Sequence, residues 1–175
     1  MNNVYIYEHT LSERRYQTTM ARIETRLTDL GLSGKIYRLG PMTRIEQVMR
    51  EELRKKPTTL IAVGGDALVT KIAVMMAESG IPLGILPVEG EGMVATALGI
   101  SLDEACKTLA ARRIIPIDLG RTNTGAAFVS QLSISATAPA VALDNGLTAR
   151  TEGQVEIQVA NVLADSYGYM GPVAT

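Results

Sequence analysis

The fold of this chain is decided by residues 58–99, TTLIAVGGDALVTKIAVMMAESGIPLGILPVEGEGMVATALG. Residues 58–63 form a short apolar run that is typical of a buried parallel strand. The Gly-Gly-Asp turn at residues 64–66 follows at once, and apolar side chains then recur at helical spacing through residues 67–80. Residues 83–86, between two prolines, predict the next strand. The stretch therefore predicts a strand–turn–helix–strand unit of an α/β protein.

The same alternation of strands and helices extends towards the amino terminus. Residues 4–7 and 35–39 predict two strands, each followed by a segment with helical periodicity. We expect the first of these helices to begin at Ser12, which has a side chain suited to capping, and the second to end before Pro57. The predicted fold class is α/β, Rossmann-like, with a mainly parallel sheet.

In the last third of the chain the apolar period changes from 3.6 to 2. Apolar and polar residues alternate through residues 131–136 and 154–159, as in half-buried antiparallel strands. Asp-Asn-Gly at residues 144–146 predicts a hairpin turn. We therefore expect an α/β nucleotide-binding-like domain over residues 1–116. Residues 117–175 are expected to form a β-rich segment resembling a truncated β-sandwich, with no regular element in its last residues.

The composition excludes several classes of protein. The 175 residues include 17 Lys and Arg against 18 Asp and Glu, a net charge of −1, which argues against binding nucleic acid by phosphate neutralisation. One Cys and one His exclude an internal disulfide and a zinc cluster built from these residues. No apolar run approaches the ~18 residues of a transmembrane helix, so we expect a cytoplasmic protein without a transmembrane segment.

The core must be largely aliphatic, because the chain has one Phe and no Trp. We expect Val63, Ile72, Leu86 and Leu98 to be buried where the sheet and helices meet.

The Gly-Gly-Asp turn leaves two interpretations open. Two glycines allow close approach of a phosphate to the unpaired amides at the start of a helix. The alternative is purely structural, since Asp66 is a good N-cap residue and such a turn commonly begins a helix.

The order and spacing of these motifs resemble those of the catalytic domain of diacylglycerol kinases and other lipid kinases. The resemblance is carried by VGGDALVTKIA, PLGILPVEGEGMVATALGI and RRIIPIDLGRTN, and extends over residues 58–136. It implies an NAD kinase-like fold, ATP and Mg²⁺ as cofactors, and a nucleotide site made of loop residues. Those residues are Gly64, Gly65, Asp66, Ala67, Glu89, Gly90 and Gly92, with Asp66 as the candidate magnesium ligand.

The departures from the family pattern concern the nucleotide motifs. The Gly-Thr pair that follows Gly-Gly-Asp in the family is replaced here by Ala67 and Leu68. The family's Gly-Thr-Gly-Asn-Asp is replaced by residues 89–93, which bring in Glu89 and Glu91. Two unit charges at ~4 Å repel by ~1 kcal/mol in water and ~4 kcal/mol at an effective dielectric of 20, so these acids oppose a phosphate unless Mg²⁺ lies between them. The distal Asp-Asp-Gly-Leu segment, which carries the family's proposed general base, has no counterpart.

Three functions therefore remain open. The first is a lipid kinase-like domain that is degenerate in catalysis, binds ATP weakly or not at all, and acts as a binding or assembly module. The second is an active ATP- and Mg²⁺-dependent kinase that phosphorylates a lipid or a small hydroxyl compound. The third is a homo-oligomeric scaffold in which strand edges of the β segment, such as residues 154–162, pair between subunits. A nucleotide and a second copy of the chain are thus the candidate partners.

Overall fold

The computed structural model describes residues 2–88, 92–137, 139–142, 148–150, 152–161 and 173–174. The helices are α1 (Gln17–Asp29), α2 (Ile45–Arg54), α3 (Asp66–Met76), α4 (Met93–Ala97) and α5 (Leu102–Ala110). The strands are β1 (Asn3–Tyr7), β2 (Gly34–Arg38), β3 (Thr59–Gly64), β4 (Leu83–Pro87), β5 (Gly120–Arg121), β6 (Ala127–Phe128), β7 (Gln131–Thr137), β8 (Ala140–Ala142), β9 (Thr148–Arg150), β10 (Gln154–Ala160) and β11 (Val173–Ala174). Glu89, Gly90, Glu91 and the predicted turn at residues 144–146 lie outside the described residues.

A four-stranded parallel sheet in the order β2-β1-β3-β4 forms the centre of the molecule. Helices cover both of its faces, so the alternating side chains of each strand are buried on opposite sides. On β3, Leu60 and Ala62 pack towards α2, α3 and α4, whereas Ile61 and Val63 pack towards α1 and α5. This arrangement confirms the predicted α/β class with a parallel sheet.

The expected core residues are placed as predicted with one exception. Val63, Ile72 and Leu86 are fully buried, while Leu98 is only partly buried and packs against the edge of the core. Leu98 forms the turn after the short helix α4, so one side of it remains accessible.

The prediction that the first helix begins at Ser12 is wrong. Two short 3₁₀ turns, His9–Ser12 and Arg14–Tyr16, precede α1, which begins at Gln17. The Ser12 hydroxyl donates to the carbonyl oxygen of His9 at 2.8 Å and so closes the first of these turns. Local side-chain bonding of this kind competes with helix capping, which explains the later start of α1.

The β segment contains both of the predicted antiparallel strands, and they pair with each other. β7 pairs with β10, so that Leu132, Ile134 and Ala136 lie opposite Val159, Ile157 and Val155. β8 and β9 form a second antiparallel pair on either side of residues 143–147.

The expectation that the last residues contain no regular element is wrong, because β11 pairs with Val159 and Ala160 of β10. At the start of the segment, residues 113–119 are irregular and β5 consists of two residues.

None of the helices formed by the described residues combines the length and the apolar character needed to span a bilayer. The boundary between the two expected domains, at residues 116 and 117, stays a prediction.

Candidate functional site

The candidate site lies at the carboxyl edge of the parallel sheet, where the direction of winding reverses. The chain passes from β1 outward to β2 and then returns to place β3 on the other side of β1. The ends of β1 and β3 therefore form a topological switch point, the place where open α/β sheets usually bind ligands. Glu8 follows β1 there, and the Gly64–Gly65 turn ends β3.

The Glu8 carboxylate bonds to the glycine turn at this switch point. The Glu8 amide donates to the Val63 carbonyl oxygen at 2.9 Å, which holds the residue beside the end of β3. The Gly65 amide in turn donates to Glu8 Oε2 at 2.7 Å. Gly64 has a φ of +157°, and a Cβ atom there would overlap the Glu8 carboxylate. The amide that the sequence suggests for a phosphate is thus bonded to an acid of the same chain.

Asp66 makes an equivalent contact with the next helix. The Met93 amide donates to Asp66 Oδ2 at 2.6 Å, and the Val94 amide donates to Oδ1 at 3.3 Å. Gly92 is the N-cap residue of α4, and a Cβ atom there would overlap the Asp66 carboxylate. The expectation that Asp66 caps its own helix is wrong: Gly65 is the N-cap of α3, and Asp66 caps α4.

The structure therefore brings together four of the predicted site residues, Gly64, Gly65, Asp66 and Gly92. Ala67 is exposed in the first turn of α3. Leu68 does not crowd the loop, because it is 4% exposed and belongs to the hydrophobic core.

Glu8 is the residue that the sequence analysis missed. The available signal was its position directly after β1. The ends of two adjacent parallel strands lie at one sheet edge, so the residue after β1 faces the turn after β3.

A cleft of about 570 Å³ lies beside Asp66, between α3 and the start of the β segment. Lys71 contributes the positive charge in this cleft, but its Nζ atom is 2.7 Å from Glu46 Oε1. The pair lowers the pKa of Glu46, chiefly through the hydrogen bond from Lys71. The cation nearest to Asp66 in the cleft lining is therefore already paired with an acid of the chain.

The acids and amides at the glycine turn decide whether this site suits ATP and Mg²⁺. Among the described residues, no three His, Cys, Asp or Glu side chains are grouped as a metal site. Both oxygens of Asp66 accept backbone amides, and Glu8 bonds to the amide of Gly65. The described residues in this arrangement do not fit a phosphate at the glycine turn. Asp66 as a magnesium ligand stays a prediction.

A second feature that the sequence analysis missed is the position of Asn161 at the end of β10. Its Nδ2 atom donates to the carbonyl oxygens of Asp118 at 2.7 Å and Val129 at 2.9 Å. Its backbone amide donates to the Ser130 carbonyl oxygen at 2.7 Å. Asn161 therefore connects the β7–β10 pair to the segment that leaves the α/β unit, and Asp118 contributes its backbone to this junction.

The family model of the diacylglycerol kinase catalytic domain matches residues 4–122. This chain belongs to that family. The match includes the parallel sheet apart from Asn3, together with α1 to α5 and β5. Both Glu8 and the glycine turn therefore lie within the part of the chain that matches the diacylglycerol kinase catalytic domain.

The chain is also similar to a curated protein and to solved structures. An uncharacterized protein of Synechocystis sp. is 31% identical over 106 residues, covering 59% of this chain and 23% of the relative. The crystal structure of a diacylglycerol kinase from Bacillus anthracis superimposes with a TM-score of 0.72 at 17% identity, covering 93% of this chain and 66% of the other. A second, diacylglycerol kinase-like structure from that organism gives 0.73 at 18% identity, with 92% and 66% covered. At these identities the structures show the fold of the diacylglycerol kinase catalytic domain.

The chain is shorter than the proteins it matches. It spans about a quarter of the Synechocystis relative and about two thirds of each Bacillus anthracis structure.

Proposed function

We propose that this diacylglycerol kinase catalytic domain is degenerate in phosphoryl transfer and acts as a binding or assembly module. The observation that carries the proposal is the 2.7 Å hydrogen bond from the Gly65 amide to the Glu8 carboxylate at the switch point of the sheet. A helix N-terminus attracts one anion because its amides are unpaired. Here that anion is a side chain of the protein.

The Glu8 carboxylate competes with a phosphate for the Gly65 amide, and its negative charge also repels the phosphate. A phosphate oxygen that approached the Gly65 amide would lie within a few ångströms of the Glu8 carboxylate. At ~4 Å the repulsion of two unit charges is ~1 kcal/mol in water and ~4 kcal/mol at an effective dielectric of 20. Glu8 takes part in no ion pair between described residues, and Lys71 of the neighbouring cleft is paired with Glu46.

Two side chains at positions of the family's nucleotide motifs are bonded or packed within the protein. Phosphoryl transfer depends almost entirely on positioned charges and hydrogen-bond donors. Asp66 is held by two amides of α4, and Leu68, which replaces a threonine of the family pattern, is in the core. These contacts support weak or absent binding of ATP and Mg²⁺.

The alternative is an active ATP- and Mg²⁺-dependent kinase that phosphorylates a lipid or a small hydroxyl compound. One observation favours it: the cleft of about 570 Å³ beside Asp66 has the size of a small-molecule site. In that case Glu8 would have to leave the Gly65 amide when the nucleotide binds.

The two functions are separated by titrating ATP into the purified chain by calorimetry, with and without Mg²⁺. We expect the unmodified chain to bind ATP no better than millimolar, with some gain from Mg²⁺. Glu8→Ala should then bind ATP at least tenfold more tightly, because the change frees the Gly65 amide and removes a negative charge. Glu13→Ala is the control, since Glu13 pairs with exposed Arg15 outside the glycine turn and should leave ATP binding unchanged.

Micromolar ATP affinity in the unmodified chain, together with transfer of labelled phosphate to diacylglycerol in mixed micelles, would establish the active kinase. An unchanged ATP affinity in Glu8→Ala would also contradict the proposal, provided that the variant keeps its melting temperature.

A further inference from the structure

A second and larger cavity, of about 800 Å³, lies at the opposite edge of the parallel sheet from the glycine turn. Its lining includes Asn3, Thr59 and Leu83, the first residues of β1, β3 and β4. The six residues of β3 separate the two edges by roughly 20 Å at ~3.3 Å per residue. The cavity is therefore distinct from the candidate nucleotide site, and nothing about it depends on the proposed function.

The wall of this cavity is mainly aliphatic. It includes Ile61, Ile85, Ile100 and Leu109 from the sheet, from α5 and from the loop after α4. Ile114 and Ile115 lie at its rim and are 58% and 59% exposed. The cavity thus combines a buried aliphatic wall with an apolar opening to solvent, which suits a flexible hydrocarbon chain.

The charged side chains in the described lining of the cavity are all positive. Arg112 and Arg113 are the charged side chains in the described lining, and no acid of the described residues joins them. Arg112 Nη1 lies 3.4 Å from Thr59 Oγ1, which is also part of the lining. Neither arginine takes part in an ion pair between described residues. Two arginines beside an apolar cavity are suited to a carboxylate or phosphate, whose oxygens the guanidinium group binds in pairs.

The backbone at Arg112 supports a function for this residue beyond ending α5. Its φ is +48°, in the left-handed region, just after the last residues of the helix. Glycine is the residue usually found at such a helix end, because a Cβ atom makes this conformation unfavourable. Arg112 adopts the conformation and holds its guanidinium group at the cavity instead.

We propose that this cavity binds a single-chain amphiphile with an anionic head group. The hydrocarbon chain lies among the aliphatic side chains, and the carboxylate or phosphate lies between Arg112 and Arg113. The volume is within the range of ligand sites, ~300–1,000 Å³. Neutral amphiphiles lack the contact with the arginines, and small anions lack the contact with the aliphatic wall. Tight binding therefore needs both the anionic head group and the hydrocarbon chain.

The first test compares five probes by calorimetry below their aggregation concentrations: decanoate, hexanoate, decyl phosphate, decan-1-ol and inorganic phosphate. Decanoate and decyl phosphate should each bind at one saturable site, and decan-1-ol at least tenfold more weakly. Hexanoate should bind at least twentyfold more weakly than decanoate, since each buried methylene changes affinity roughly fourfold. Inorganic phosphate should not bind at this site.

The second test uses variants of the two arginines. Arg112→Gly and Arg113→Gln should each weaken decanoate binding about tenfold and leave decan-1-ol binding unchanged. Arg112→Gly should not lower the melting temperature, because glycine adopts a φ of +48° without strain. Arg22→Gln is the control, since Arg22 pairs with Asp103 and does not line the cavity.

Thr108→Trp, which places a large ring in the cavity, should abolish binding of decanoate and decan-1-ol alike. The absence of saturable decanoate binding would overturn the proposal. Equal affinities for decanoate and decan-1-ol would also overturn it, as would decanoate binding unaffected in both arginine variants.

Discussion

At the scale of single residues, Glu8 and Asp66 share one arrangement. Each carboxylate accepts backbone amides at the start of a helix, and each lies against a glycine whose Cβ atom would overlap it. Glu8 joins the loop after β1 to α3, and Asp66 joins α3 to α4. The carboxyl edge of the sheet is thus held together by acids of the chain, in positions where a nucleotide-binding loop would offer free amides.

Removing the Asp66 carboxylate should destabilise the protein. Asp66→Ala leaves the Met93 and Val94 amides without this partner, and we expect a loss of about 1–2 kcal/mol in the free energy of unfolding. Asp66→Asn should keep most of the stability, because the amide oxygen still accepts. Urea unfolding measures both. Asp118→Ala, an exposed aspartate without a described side-chain bond, is the control and should stay within about 0.5 kcal/mol. Equal stabilities of Asp66→Ala and this control would show that α4 does not depend on the cap.

Glu52 is a buried acid of a different kind, 2% exposed between α2 and β2. Burial opposes its charged form. Hydrogen bonds from Lys55, Tyr37 and Lys35 outweigh that effect and lower the pKa of Glu52 to about 2. The lysines are half exposed, so their long side chains bring charge to the acid while they remain in contact with water.

The lowered pKa of Glu52 predicts a loss of stability in acid. In the unfolded chain Glu52 takes up its proton near pH 4.5, whereas in the folded chain it does so only near pH 2. Its contribution is therefore complete above about pH 4.5 and declines as the pH falls towards 2. In urea unfolding at several pH values, the stability difference between the unmodified chain and Glu52→Gln should shrink over that interval. A constant difference would contradict this assignment.

At the scale of elements, β4 forms one edge of the parallel sheet and contributes Leu86 to the core. Leu86 is fully buried on the face covered by α1 and α5, and it lies opposite Val63 of β3. Neighbouring helices pack on it, so a smaller side chain would leave a cavity that the surrounding elements cannot fill.

Leu86→Ala should therefore cost about 2–5 kcal/mol in the free energy of unfolding, the range for truncating a buried leucine. Leu30→Ala, at the end of α1 and 37% exposed, is the matched control and should cost well under half as much. Thermal and urea unfolding give the comparison. An unchanged melting temperature in Leu86→Ala would remove the basis for placing β4 in the core.

At the scale of the whole molecule, the β segment presents an apolar strip. Leu132, Ile134 and Ala136 of β7 face Val159, Ile157 and Val155 of β10, and these side chains lie on one side of the pair. Ile134 is 43% exposed. Directly opposed aliphatic pairs stabilise the two strands, and an exposed strip of this kind is suited to contact with another protein surface.

The assembly part of the proposed function predicts self-association through this strip. Light scattering over a range of concentrations should show a dimer. Ile134→Lys should raise the protein concentration at which the dimer forms by at least tenfold. Ser133→Lys adds the same charge on the other side of β7 and should leave the dimer intact. A concentration-independent monomer in the unmodified chain would rule out assembly by this surface.

The sequence by itself determined the elements of the α/β unit, the two alternating strands at β7 and β10, and the diacylglycerol kinase-like motif order. These properties depend on local periodicity and on turn residues, which act over a few positions along the chain. The difference between the predicted and observed start of α1 also has a local cause, because the Ser12 hydroxyl closes a 3₁₀ turn and does not cap the helix.

Only the tertiary structure decided which groups the glycine turn contacts. The order β2-β1-β3-β4 brings Glu8 to Gly65, 57 positions along the chain, and brings Asp66 to the start of α4. The same strand order brings the first residues of β1, β3 and β4 together with Arg112 and Arg113 around one cavity. A hydrogen-bond donor has the same sequence signature whether it faces a phosphate or an acid, so its partner depends on which strands lie side by side.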